Sequence, residues 1–95
     1  MNYNEIRRQN IEEILKSLED FKSKHENNNL RILFFCDGYK NEVKAFITIT
    51  NYYSFTEQIT YTKTYSMPFD DISICRETLK SIFEDSEEYL RIRCI

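Results

Sequence analysis

One histidine and three cysteines, His25, Cys36, Cys75 and Cys94, are the side chains of this chain best suited to proton transfer, nucleophilic attack or metal ligation. A thiol nucleophile needs a base beside it and electropositive surroundings. A tetrahedral metal site needs ligands that one or two local turns can bring together. The cysteines are odd in number and far apart. Cys-x-x-Cys, Gly-x-Ser-x-Gly and His-Glu-x-x-His arrangements are all absent. Periodicity puts every cysteine on an inward, apolar face, where Cys acts as a small hydrophobe with a raised pKa. His25 falls in the last turn of a helix, where a partly charged imidazole suits the carbonyl end of the dipole. The expectation is therefore no catalytic residue, no metal and no cofactor.

Two surfaces carry more information. Residues 69–89 hold seven acids (Asp70, Asp71, Glu77, Glu84, Asp85, Glu87 and Glu88) against Arg76 and Lys80, a local charge of −5. The first pair suits a helix N-terminus. The last four crowd a C-terminal end, where the dipole is already negative and each acid costs a few tenths of a kcal/mol. The plain reading is a solvated helix end, offset by Arg91 and Arg93. The sharper one is a negative surface that steers onto a basic partner, with Glu77, Glu84, Asp85, Glu87 and Glu88 as its contacts.

The elements that must position these side chains follow from spacing. Ile11, Ile14, Leu15, Leu18 and Phe21, with Tyr3 and His25 on the same side, make the single apolar stripe of an amphipathic helix. Asn2 or Asn4 caps its start, and Asn27, Asn28 and Asn29 end it. Residues 30–36 alternate, then Asp37-Gly38 signals a hairpin, then Val43, Ala45, Ile47 and Ile49 alternate with Lys44, Phe46, Thr48 and Thr50. A loop of two or four residues puts both apolar sets on one face; a three-residue loop is excluded. A third strand is expected over about residues 55–65, with Tyr52-Tyr53 at the tip of the second hairpin and Pro68 as its breaker. Asp70, Asp71 or Ser73 caps a second helix whose stripe is Ile72, Cys75, Leu79, Ile82, Phe83 and Leu90. Residues 89–95 alternate again and read as a short fourth strand beside the first, which would make the first strand central and explain its two apolar faces.

The fold class is thus α+β: two helices on one face of a three-stranded antiparallel meander, in the order α-β-β-β-α. The opposite face of the sheet receives Arg31, Leu33, Phe35, Lys40, Lys44, Phe46 and a row of threonines. Aromatic and basic groups on an open sheet suit base stacking; equally, an apolar patch of this kind suits a protein interface.

Size and composition bound the rest. Ninety-five residues fit a single domain, and 41% apolar content with 7 Phe and 7 Tyr suffices for a core. A single Gly and a single Pro exclude glycine-rich phosphate loops and flexible linkers. A net charge of −3 argues against phosphate binding as the main task. No signal-peptide pattern opens the chain, the longest apolar run is five residues, and the cysteine usage fits a reducing cytoplasm without membrane contact.

The element order resembles that of double-stranded-RNA-binding domains, which implies their fold. Where those carry a basic cluster at the start of the second helix, this chain has Asp70-Asp71-Ile72-Ser73, reversed in charge. With its acidic surface the order also resembles small phage-encoded inhibitors of CRISPR nucleases, a likeness of order, size and acidity only. The expected function is a non-enzymatic inhibitor or immunity-type factor that covers a basic partner surface. The alternatives are a nucleic-acid-binding module on Arg31, Lys44, Phe35 and Phe46, and an obligate homodimer built on Leu33, Phe35 and Phe46.

Overall fold

A computed structural model describes the backbone of residues 2–25, 30–52 and 58–93, and the side chains of 2–25, 30–50 and 60–90. Its order is α1 (Tyr3–Lys24), β1 (Leu30–Asp37), β2 (Glu42–Tyr52), β3 (Gln58–Pro68) and α2 (Ile72–Arg93), with the sheet ordered β1-β2-β3 and both pairings antiparallel. The α-β-β-β-α architecture expected from spacing is the one observed.

Each boundary has a local cause. Asn2 caps α1, its side-chain oxygen accepting from the Glu5 amide at 2.9 Å. Asp71 caps α2, accepting from the amides of Ser73 at 3.1 Å and Ile74 at 3.3 Å. The first hairpin has the four-residue loop 38–41, closed by the pair Asp37↔Glu42. Its left-handed residue is Asn41 (φ 53°), not Gly38, while Asp37 accepts from the amides of Tyr39 and Lys40. Lys40 therefore belongs to the turn rather than to the outer sheet face. β3 runs Gln58–Pro68 and ends three residues beyond the expected Tyr65, because Pro68, which has no N–H to donate, is tolerated on an edge strand. The expected start at Phe55 lies outside the described residues.

Val43, Ala45, Ile47 and Ile49 form the fully buried centre of the core under Ile14, Leu18, Leu79 and Ile82. Met67 and Phe69 complete it beyond the expected stripe, and Phe21 stacks on Phe83 at 4.5 Å. The helices run parallel. Arg76 grips Glu13 through two 2.8 Å hydrogen bonds, and eleven residues further along each helix Lys24 meets Glu87 at 3.2 Å.

Three expectations are corrected. Residues 89–93 continue α2 instead of forming a fourth strand, because Leu90 lies on the same buried stripe as Leu79 and Ile82, and helix burial outweighs a short alternation. β2, not β1, is consequently the central strand. Cys36 is exposed although it has the inward phase of Ile32: the N-terminal half of α1 crosses towards the far edge, where Asn10 donates to the Phe69 carbonyl, and leaves the end of β1 bare. The Asn27–Asn29 helix end, the Tyr53 hairpin tip, the side chains of Arg91 and Arg93, and Cys94 lie outside the described residues. Among the described residues no helix is long and apolar enough to cross a membrane.

Candidate functional site

The five acids assigned to a partner surface separate into two groups. Asp85 is held at home: its Oδ2 accepts from Lys63 Nζ at 3.1 Å and from the Tyr65 hydroxyl at 3.2 Å. Lys63 has the inward phase of Tyr61 and Tyr65 on β3, so the strand reaches under α2 with a cation, and the hydrogen bond to Asp85 raises the Lys63 pKa. Glu87 is engaged by Lys24 and lies 3.5 Å from His25 Nε2. The Lys24 hydrogen bond, aided by His25, holds its carboxyl below the ordinary range. His25 itself caps α1, its amide donating to the carbonyls of Phe21 and Lys22, and packs on the Phe21 ring at 4.6 Å.

The other three are turned outward. Glu77, Glu84 and Glu88 are exposed, and Glu84 has only a loose 4.0 Å pair with Lys80. Glu77 and Glu88 have no ion-pair partner among the described residues. Their spacing of i, i+7 and i+11 aligns them on one stripe about 16 Å long at roughly 1.5 Å per residue. Two shallow grooves flank it. One, about 370 Å³, lies between the helices and is lined by Glu13, Leu79, Phe83 and Glu84. The other, about 300 Å³, is lined by Tyr61, Lys63, Glu88 and Tyr89, with Tyr61 stacked on Tyr89 at 4.4 Å.

The outer sheet face is uncovered among the described residues. Leu33 is 71% exposed and Phe35 48%, with Phe35 stacked on Phe46 at 5.7 Å. Register sets Leu33 beside Phe46 and Thr64, and Phe35 beside Lys44 and Ser66. Its bases, Arg31 and Lys44, are matched by Asp37 and Glu42 on the same face, and Lys44 lies 3.8 Å from Glu42. The face is electrically neutral.

Sequence periodicity missed a third cluster. Arg7 sits on the apolar stripe of α1, four residues before Ile11, and its guanidinium lies over the rings of Tyr3 (5.2 Å) and Phe69 (4.8 Å). It also donates to Asn41 and meets Asp70 at 3.3 Å, while the Tyr3 hydroxyl donates to Asp70 at 2.7 Å. A cation in an apolar phase was the readable signal. Lys63, in the inward phase of β3, was the other.

The thiol of Cys75 is buried, donates to the Pro68 carbonyl, and is pushed up to about 11 by burial, with Asp71 and Glu13 adding to it. Among the described residues no three metal-ligating side chains converge.

These shifts fix a pH dependence. The Arg76 hydrogen bonds hold Glu13 low, as Lys24 holds Glu87. Groups depressed in the fold add stability above the unfolded value of about 4.3, and that stability is lost as pH falls through their lower folded values. Burial pushes the Tyr65 hydroxyl up to about 12, with Tyr61 adding and Lys63 opposing. Its contribution is whole below about pH 10 and is lost as pH rises towards 12. Urea midpoints should be level between about pH 5 and 9 and fall on both sides, with Glu87→Gln flattening the acid limb and Tyr65→Phe the alkaline one. An unchanged acid limb in Glu87→Gln would contradict the assignment.

No protein-family model, curated protein or solved structure matches this chain.

Proposed function

We propose that this chain is a non-enzymatic binding protein of the inhibitor or immunity type, which covers a basic surface of a partner protein with the acidic side of α2. The observation that carries this reading is the stripe Glu77, Glu84 and Glu88, which among the described residues has only the loose Glu84–Lys80 pair, while Asp85 and Glu87 are neutralised internally. Acids near the C-terminal end of a helix oppose the dipole and its stability. A row of them spaced along one side presents a linear negative field, which accelerates encounter with a row of lysines or arginines and sets its register. The grooves beside the stripe offer Phe83 on one flank and Tyr61 and Tyr89 on the other as apolar contacts once the partner is in place.

The neutrality of the outer sheet face removes the attraction for phosphates that a nucleic-acid platform on Arg31, Lys44, Phe35 and Phe46 would need.

The test is affinity capture from the native host, followed by titration of the captured protein. The variant Glu77→Lys/Glu84→Lys/Glu88→Lys should bind at least about 100-fold more weakly, and wild-type affinity should fall steeply with salt. A control with the same charge change on α1, Glu12→Lys/Glu19→Lys/Asp20→Lys, should stay within about threefold. Equal losses in both variants would reduce the effect to net charge, and no loss in the first would end the reading.

A further inference from the structure

β1 departs from what an edge strand should be. It is eight residues long, its pairing with β2 runs unbroken from Leu30↔Ile49 to Asp37↔Glu42, and it carries neither proline nor lysine. Both its faces are apolar, with Ile32 and Phe34 inward, Leu33 and Phe35 outward. Folded proteins blunt such edges with bulges, prolines or charges, because an open row of amides and carbonyls is a template for another strand. Here no described strand of the same chain supplies that neighbour, since residues 89–93 belong to α2.

We propose that a second copy of this chain does so: the two β1 strands pair antiparallel about a two-fold axis at Phe34 and double the three-stranded sheet. This goes beyond the acidic-helix reading and does not depend on it, because α2 packs over β3 at the opposite edge.

The register follows from charge and shape. A symmetric antiparallel pair can slide only in steps that keep outward residues opposite outward residues. With Phe34 opposite its own copy, Arg31 stands across from Asp37 of the second copy, Leu33 across from Phe35, and the same contacts recur on the other side of the axis. One step in one direction puts Arg31 against Phe35; one step in the other puts Leu33 against Asp37. Only the Phe34-centred register pairs opposite charges with each other and apolar groups with each other. It also answers a local conflict. Within one chain Asp37 stands directly opposite Glu42, a like-charge pair that Arg31 of the second copy would offset.

Burial along the inward face fits the same axis. Leu30 and Ile32 are buried under α1, Phe34 is half-buried and Cys36 is exposed, as the helix leaves the strand. The two-fold sets each exposed Cys36 next to the covered Ile32 of the other copy. It also brings up the half-buried Ile11 and Leu15, which lie on the flank of α1 turned away from Glu13 and α2.

Sedimentation between about 1 µM and about 500 µM should show a species of twice the 11.6 kDa chain mass at the upper end. Arg31→Asp and Asp37→Arg should each weaken the dimer at least about 30-fold, and mixing the two variants should restore it, since each mutant charge then faces its opposite. Leu33→Glu, at an exposed position, should be monomeric throughout and should melt like the wild type at concentrations low enough for the wild type to be monomeric as well. Because Asp37 also closes the turn, a second measurement reads the register without it. In a Cys36→Ser/Cys94→Ser background, Leu33→Cys and Phe35→Cys chains should form a disulfide when mixed and oxidised, and neither alone. A monomer throughout, a dimer indifferent to both reversals, or cross-linking without regard to position would each overturn the proposal.

Discussion

Replacing Ile47 by alanine should lower the unfolding free energy by about 3–4 kcal/mol, the largest effect expected of any single change in this chain. Ile47 is fully buried on the central strand, paired with Ile32 on one side and Lys63 on the other, and flanked by the buried Ala45 and Ile49. A central strand held on both sides cannot move inward to fill the space, so the lost transfer energy and the cavity add together. A chain this size is stable by only about 5–14 kcal/mol, so the midpoint of thermal unfolding should fall by roughly 15–25 °C. Thr48→Ala, one residue along on the outer face, should change stability by less than about 0.5 kcal/mol. Urea unfolding with an unchanged m-value is the measurement. A loss below about 1 kcal/mol at Ile47 would mean that the core is not organised around β2.

Arg7→Ala should cost about 2 kcal/mol, most of it through packing and hydrogen bonding rather than net charge. The guanidinium fills the space between the Tyr3 and Phe69 rings while donating to Asn41 and pairing electrostatically with Asp70, so one side chain ties the start of α1 to the first hairpin turn and to the β3–α2 connection. Lysine cannot reproduce that geometry, because an ammonium has no plane to stack and no fork to bond two partners. Arg7→Lys is therefore expected to recover less than half of the loss. A double-mutant cycle with Phe69→Leu should show a coupling of about 1 kcal/mol, and amide exchange should quicken first over the N-terminal turns of α1. Additive losses would assign Arg7 to a surface ion pair of little consequence.

The two candidate surfaces differed in how far the sequence exposed them. Strand parity alone put Leu33, Phe35 and Phe46 on the outer face, because the side-chain period of a strand is two whatever lies around it. The acidic set on α2 was legible as composition but not as pattern. Glu84, Asp85, Glu87 and Glu88 look alike in a string, yet Lys63 of β3 and Lys24 of α1 single out two of them for internal pairing. Those cations are distant in sequence, and only the packing of α2 between the β3 edge and α1 brings them near. The C-terminal residues went astray for a related reason. Leu90 fits both the period of two that it shares with Ile92 and Cys94 and the continuing buried stripe of a helix, and seven residues are too few to separate the two.

What the chain dictates locally is therefore the number, type and order of its elements, their caps, and the side of each that turns from water, since capping and periodicity act through neighbours a few residues away. The four-residue first turn is likewise set by Asp37, which accepts the amides of Tyr39 and Lys40 within that stretch. Tertiary structure decided the rest. It ran α2 through Arg93, left β1 as an open edge, drew α1 diagonally off Cys36, and separated the anchored acids from the outward ones. Those outcomes depend on which surfaces meet across dozens of residues, and apolar burial, being non-directional, gains its specificity only when all the elements pack at once.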